Sequence, residues 1–191
     1  MFSDTQLVKL AKEGQLPAFE SLITKYKDKV FNIAYSFTLN YSESDDIAQN
    51  VFVKVYLNLN FFEEKSAFST WLYRITVNEC FNGLKKRKKN AVSLETEVAG
   101  KDEVLLKDVL ADPDADIEKK IISGETQKII RQALLELPEK YRMIVTLRDI
   151  EDISYEDIAK IMKISDAKVK VWLFRARNKL KNILNKKGRL Q

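Results

Sequence analysis

The chain of 191 residues has no histidine. That absence removes the commonest general base, every Ser-His or Cys-His nucleophile and most zinc sites. A single cysteine, Cys80, excludes an internal disulfide and points to a reducing compartment. Only five glycines and three prolines punctuate the sequence, and none builds a phosphate-cradling Gly-rich loop. Asp112-Pro113-Asp114-Ala115-Asp116 begins like a calcium loop, but Ile117 stands where the turn needs Gly, and Ser123 stands where Glu should close the site. No apolar run is long enough to span a bilayer, and Met1 to Gly14 lacks a charged segment followed by an apolar one. The expectation is a cytoplasmic, non-enzymatic protein without metal, cofactor or direct membrane insertion.

Apolar residues make up 45% of the chain and charged residues 32%, the balance of a folded soluble protein. With long 3.6-residue patterns and little Gly or Pro, an all-α fold follows. The net charge of +5 is mild, but it is unevenly spread. Lys85-Lys86-Arg87-Lys88-Lys89 is one basic run, and the stretch from Ala167 to the end holds nine Lys/Arg and no acid. Between them, Ser93 to Thr126 carries ten acidic residues against four Lys. This distribution suggests two places to hold phosphates and an intervening segment that DNA repels. The plainer alternative is that both runs are solvated surface.

The periodicity predicts a short helix from Asp4 to Lys12, then a longer one from Pro17 to about Leu39. The latter carries Leu22, Tyr26, Val30, Ile33 and Phe37 on one face. Ser42 with Asp45 forms a plausible capping box for a third helix carrying Ile47, Ala48, Val51, Phe52, Val55 and Leu59. A polar loop, Asn60 to Ala67, precedes a fourth helix from Phe68 to Lys88 in which Gly83 costs roughly 1 kcal/mol relative to Ala. Asn90 to Ile122 has no sustained period and is read as a linker. Four helices follow, at about Glu125–Leu135, Glu139–Asp149, Tyr155–Met162 and Ala167–Lys186. Ser154 with Asp157 makes a further capping box, and Ser165 can cap the last helix.

A short helix, a tight turn and a long basic helix are the parts of a helix-turn-helix, whose second helix lies in the DNA major groove. At about 100° per residue, Val169, Leu173, Ala176, Leu180 and Leu184 fall on one packed stripe of the last helix. Val171, Phe174, Arg175 and Asn178 lie opposite, with Lys170, Arg177 and Lys181 on a flank. Apolar side chains among cations suit contacts to thymine methyls while Arg175 reads a base edge. A second protein contact is the alternative. Trp172, at the edge of the stripe, reads as half-buried scaffold. Lys163 occupies the turn position where Gly often supplies a left-handed backbone.

Phe68-Ser69-Thr70-Trp71-Leu72-Tyr73-Arg74-Ile75 has Asp46-Ile47-Ala48-Gln49 upstream and the Lys85 to Lys89 run downstream. Together with Leu137-Pro138-Glu139-Lys140-Tyr141-Arg142 and Ser154-Tyr155-Glu156-Asp157-Ile158-Ala159, this constellation closely resembles the extracytoplasmic-function group of bacterial sigma-70-type sigma factors. The resemblance implies two small helical domains, region two over 1–90 and region four over 123–191, joined by a flexible acidic linker over 91–122. It implies a protein that binds core RNA polymerase, directs it to a promoter and helps melt the DNA.

By the same resemblance, Asp46, Gln49 and Asn50 dock on the polymerase, with Asn50 where the family usually has Glu. Asn60, Phe61, Arg74, Asn78, Asn82, Lys85 and Lys86 hold the melted minus-ten strand, and Asn82 stands where Asp is common. Trp71 is expected to be partly buried and not a free stacking platform. Lys168, Lys170, Val171, Phe174, Arg175, Asn178 and Lys181 contact the minus-thirty-five duplex. Val171 replaces a small hydroxyl residue and Trp172 an Arg, so a different upstream sequence is expected. The partners implied are core polymerase, promoter DNA and an anti-sigma factor that can be membrane-anchored, without homo-oligomerisation. The competing readings are a helix-turn-helix regulator that binds operator DNA on its own, and a helical interaction protein with acidic partners.

Overall fold

The structure, a computed structural model, describes residues 2–95 and 129–188. The expected linker beyond residue 95, and the start of the helix expected from Glu125, lie outside the described residues. All regular structure among the described residues is helical. The elements are α1 (Asp4–Lys12), α2 (Leu16–Thr38), α3 (Tyr41–Asn58), a 3₁₀ turn (Leu59–Phe61), α4 (Phe68–Glu95) and α5 (described over 129–135). Then come α6 (Glu139–Val145), a π turn (Thr146–Ile150), α7 (Tyr155–Met162) and α8 (Asp166–Gly188).

Local chemistry sets most of the boundaries. Ser3 accepts from the Gln6 amide at 3.3 Å, and the Gln6 side chain accepts from the Ser3 amide at 2.9 Å, a capping box that starts α1. Pro17 sits in the first turn of α2, where its missing N–H costs nothing. The expected face of α2 (Leu22, Tyr26, Val30, Ile33 and Phe37) is buried along its whole length. Ile47, Ala48, Val51 and Val55 of α3 are buried against it, with Leu72, Val77 and Cys80 of α4.

Three boundaries differ from the sequence expectation. The cap of α3 is Asn40, whose Oδ1 accepts from the Glu43 amide at 2.9 Å, and not Ser42 with Asp45. Leu39 turns left-handed (φ 54°) and reverses the chain at once, leaving Asn40 extended in the capping position. Helix α4 continues to Glu95 because Asn90 to Glu95 contains neither Gly nor Pro to stop it. The helix expected over Glu139–Asp149 widens into a π turn, in which the Glu151 amide donates to the Thr146 carbonyl at 3.0 Å. Arg142 to Leu147 are all buried, so no solvent-facing stripe was available to define a regular period there.

The two sets of helices pack on each other directly. Helix α7 lies against α4, and α6 with its π turn lies against α2. At the seam the guanidinium of Arg142, only 7% exposed, donates to the carbonyls of Leu134 (3.0 Å), Leu135 (2.8 Å) and Phe37 (2.8 Å). One cation thereby caps the ends of two helices, α5 and α2, whose last carbonyls lack intrahelical partners.

Candidate nucleic-acid interface

Helix α7 starts on Ser154, whose Oγ accepts from the Asp157 amide at 3.1 Å. The reciprocal half of the expected capping box is replaced. The Asp157 carboxylate takes the Ser154 hydroxyl (2.7 Å) and the Thr70 hydroxyl of α4 (3.1 Å). Lys163 ends α7 in the left-handed conformation (φ 53°, ψ 50°), so the turn keeps its usual shape without glycine. The Ile164 amide then donates back to the Ala159 carbonyl at 3.0 Å, and Ser165 Oγ accepts from the Lys168 amide at 3.3 Å to open α8.

On α8 the inner face is Val169, Leu173 and Ala176, all buried, continued against the core by half-buried Leu180 and Ile183, where the sequence pattern had placed Leu184. Lys170, Val171, Phe174, Arg175, Asn178 and Lys181 all face solvent, and Phe174 is 69% exposed. An apolar ring left in water beside an unburied guanidinium suits contact with base methyls and a base edge. Trp172 is half-buried, edge-on to Tyr141 (6.3 Å), with the ammonium groups of Lys140 and Lys168 each 5.1 Å from its ring. Arg177 is held in two-pronged fashion by Asp149, its Nε 3.1 Å from Oδ2, and this bond raises its pKa. It acts as a brace between α8 and the π turn, leaving Lys170 and Lys181 as the open cations of that flank.

The second surface is concave. A cleft of about 830 Å³ between α3 and α4 is lined by Phe61, Trp71, Arg74, Asn78, Asn82 and Lys85, with Lys54, Asn58 and Glu79. Five of the seven residues expected to hold a single strand meet here; Asn60 and Lys86 are exposed outside the lining. Phe61 is 79% exposed at the mouth. Trp71 is half-buried, 4.9 Å from Phe62 and 5.9 Å from Phe68, so its wall is fixed by a small aromatic cluster. Phe68 and Tyr73 are core, and burial pushes the Tyr73 phenol up to about 12.

Glu79 organises one side of this cleft. Its Oε1 takes Lys54 Nζ at 2.6 Å and Asn82 Nδ2 at 3.1 Å. Sequence reasoning missed Lys54, Asn58 and Glu79, although Lys54 and Asn58 lie one turn apart on α3. It also missed Lys163, which reaches the same cleft from the α7–α8 turn. A smaller neighbouring cleft of about 410 Å³ runs under the 59–67 segment, between Phe62, Ser66 and Thr70, and Lys160 of α7 lines its edge.

Elsewhere on α3, Asp46, Gln49 and Asn50 are exposed on one face, and Gln49 donates to Asp45 at 2.8 Å. Val53, Tyr56 and Leu57, exposed by more than half, continue that face toward the helix end.

A helix-turn-helix with an open reading face and a basic cleft with aromatic walls define an all-α nucleic-acid-binding protein, and the comparisons with known proteins sharpen the class. Residues 22–90 match the family model for sigma-70 region 2, and residues 127–180 match that for sigma-70 region 4. The chain is 33% identical over 177 residues to the ECF RNA polymerase sigma factor SigW of Bacillus subtilis, covering 93% of this chain and 94% of the relative. It is 34% identical over 185 residues to the RNA polymerase sigma-H factor of Pseudomonas aeruginosa, covering 95% and 93%.

Among solved structures, the fold is similar to CnrH in complex with the cytosolic domain of CnrY (TM-score 0.67, 21% identity, 94% and 95% covered). It is also similar to the sigma factor RpoE bound to the anti-sigma factor NepR from Bartonella quintana (TM-score 0.65, 22% identity, 87% and 96% covered). The chain belongs to the extracytoplasmic-function group of sigma-70-type RNA polymerase sigma factors. It functions as an RNA polymerase sigma factor, the subunit that directs core polymerase to promoters. The reading as a free-standing operator-binding regulator falls with that membership.

Proposed function

We propose a residue-level division of this work. The first unit, residues 1–90, captures the melted minus-ten strand in the α3–α4 cleft. Bases stack at Phe61 and the Trp71 wall while Arg74 and Lys85 neutralise phosphates and Asn78 and Asn82 supply hydrogen bonds. The last unit, residues 123–191, lays α8 in the major groove of the minus-thirty-five duplex. Arg175 reads a base edge, Val171 and Phe174 touch apolar base or sugar atoms, and Lys168, Lys170, Asn178 and Lys181 hold backbone. Asp46, Gln49 and Asn50 contact the polymerase, and residues 91–122 link the units. The protein acts in the bacterial cytoplasm, where an anti-sigma factor, soluble or membrane-anchored, restrains it. Two solved structures of this fold are complexes, one of them a sigma factor with an anti-sigma factor, which supports that last point.

The observation that carries the reading is that Phe61, Arg74, Asn78, Asn82 and Lys85 line one basic, aromatic-walled cleft. Sequencing the transcripts made from genomic DNA by core polymerase, with this protein and with its Arg74→Ala variant, tests it. The expected result is a set of new start sites that Arg74→Ala weakens across all promoters. Start sites unaffected by Arg74→Ala and Asn78→Ala together overturn the cleft assignment.

A further inference from the structure

Glu79 is the only acid among the residues lining the larger cleft, where Lys54, Arg74, Lys85 and Lys163 are the cations. A carboxylate repels the phosphates such a surface takes, so its place there calls for a separate reason. Its side chain is only 12% exposed, and Oε1 receives both Lys54 Nζ at 2.6 Å and Asn82 Nδ2 at 3.1 Å. Lys54, reaching over from α3, balances the charge. Asn82, one turn further along α4, is the neutral group that the charge holds.

The bond to Asn82 fixes more than a position. An ionised carboxylate only accepts, so the Asn82 amide must turn its NH2 toward Glu79. Oδ1 is then on the opposite side of the amide, and among the described residues no donor reaches it. Asn82 is exposed on the cleft wall, on the same face of α4 as Asn78 and Lys85. A free amide in water is indifferent to what it meets, because a half-turn about its last bond exchanges donor for acceptor. Tied to Glu79, it offers the cleft a preset acceptor.

The four bases answer such an acceptor differently. Adenine, cytosine and guanine each carry an exocyclic amino group. Thymine carries none, and its ring N–H stands between two carbonyl oxygens that repel Oδ1. We infer that Glu79 is a positioning residue that locks Asn82 as the acceptor for an exocyclic amino group, so that the cleft rejects thymine at one position of the bound strand. This deepens the strand assignment proposed above and rests on it.

The test uses core polymerase reconstituted with the full chain, and a bubble template whose unpaired strand is randomised. Sequencing the retained templates gives the base preference at each position. The wild-type protein is expected to disfavour thymine at one position by about fivefold, the worth of one hydrogen bond. Asn82→Ala should erase that rejection. Glu79→Gln keeps the size but can donate as well as accept, so it frees the amide to turn. It should bring thymine to within about twofold of the other bases at the same position. Glu79→Ala, which removes the partner outright, should do the same and serves if Glu79→Gln does not fold. Lys54→Met leaves the carboxylate in place and should weaken retention while thymine stays rejected. A packing role alone would lower retention of every sequence alike in both Glu79 variants and leave the preference standing, which overturns the positioning role. Rejection that survives Asn82→Ala, or that is missing from the wild type at every position, overturns the acceptor role. If Arg74→Ala with Asn78→Ala leaves retention unchanged, the strand assignment itself fails, whatever the base preferences show.

Discussion

The two surfaces assigned to nucleic acid are built in opposite ways. The face proposed to read duplex is convex and belongs to one helix: Lys170, Val171, Phe174, Arg175, Asn178 and Lys181 all stand on α8, outward from a buried Val169–Leu173–Ala176 stripe. The strand cleft is concave and composite, drawing on α3, the segment after it, α4 and the α7–α8 turn. A convex face is fixed once its helix is docked, whereas a cleft depends on every element that closes it. Loosening the packing between helices should therefore damage the cleft more than the reading face.

The largest effect is expected at Arg142, the residue both units lean on. Arg142→Met keeps the length and apolar stem but leaves the Leu134, Leu135 and Phe37 carbonyls without their shared donor. Leu134 keeps the Leu137 amide at 3.1 Å, whereas acceptors left unsatisfied at Leu135 and Phe37 cost about 1–3 kcal/mol each. Urea unfolding of the variant should give a stability lower by about 3–5 kcal/mol. Hydrogen exchange should accelerate first in α5 and α6. A loss below about 1 kcal/mol breaks the claim that this side chain joins the units.

Next comes a contrast within the convex surface. Arg175→Ala should cost about 1–3 kcal/mol on a cognate duplex and relax discrimination at one base pair. Lys181→Ala should weaken all duplexes alike and flatten the salt dependence by about one unit of slope. Fluorescence anisotropy over a panel of single-base variants and salt concentrations separates the two. Equal loss of discrimination from both substitutions removes the distinction between a base reader and a phosphate clamp.

Why one surface was more legible than the other follows from the same contrast. A 3.6-residue period on α8 was enough to sort Val169 from Val171 and Leu173 from Phe174, because burial alternates within a single element. Resemblance supplied Arg74, Asn78, Asn82 and Lys85, but nothing local marks Lys54 or Lys163 as their neighbours. Those juxtapositions are made by α3–α4 and α4–α7 packing, which lies outside any sequence window. The π turn at Thr146–Ile150 escaped for a related reason, since Arg142 to Leu147, which lead into it, are all buried and so carry no solvent-facing period. Asn40 was missed as a cap because the preceding Leu39 adopts a left-handed turn that its sequence does not advertise.

Lys163 offers a smaller test that involves both surfaces. Its left-handed backbone carries a strain of roughly 1–2 kcal/mol for a residue with a Cβ. Lys163→Gly should relieve part of it and raise stability by about 1 kcal/mol, while taking one cation from the strand cleft. Thermal unfolding should move up, and α8 should read duplex DNA unchanged. A fall in stability means the Lys163 side chain contributes more to the seam than its backbone costs.

Gly83 should give the smallest effect and bears most directly on whether the cleft needs a supple wall. It sits inside α4 between cleft residue Asn82 and Leu84, with no positive φ to require glycine. A Cβ built there meets Ile47 Cδ1 and Glu43 Oε1 at 3.6 Å, ordinary van der Waals contact. Neither backbone nor space demands glycine, so Gly83→Ala should raise stability by about 0.5–1 kcal/mol through helix propensity alone. If the cleft is a rigid product of packing, single-strand affinity should stay within twofold of wild type. A stabilised variant that binds strand much more weakly would show that α4 must bend at Gly83 to admit it. The concave surface would then depend on motion as well as on assembly, and the convex one would not.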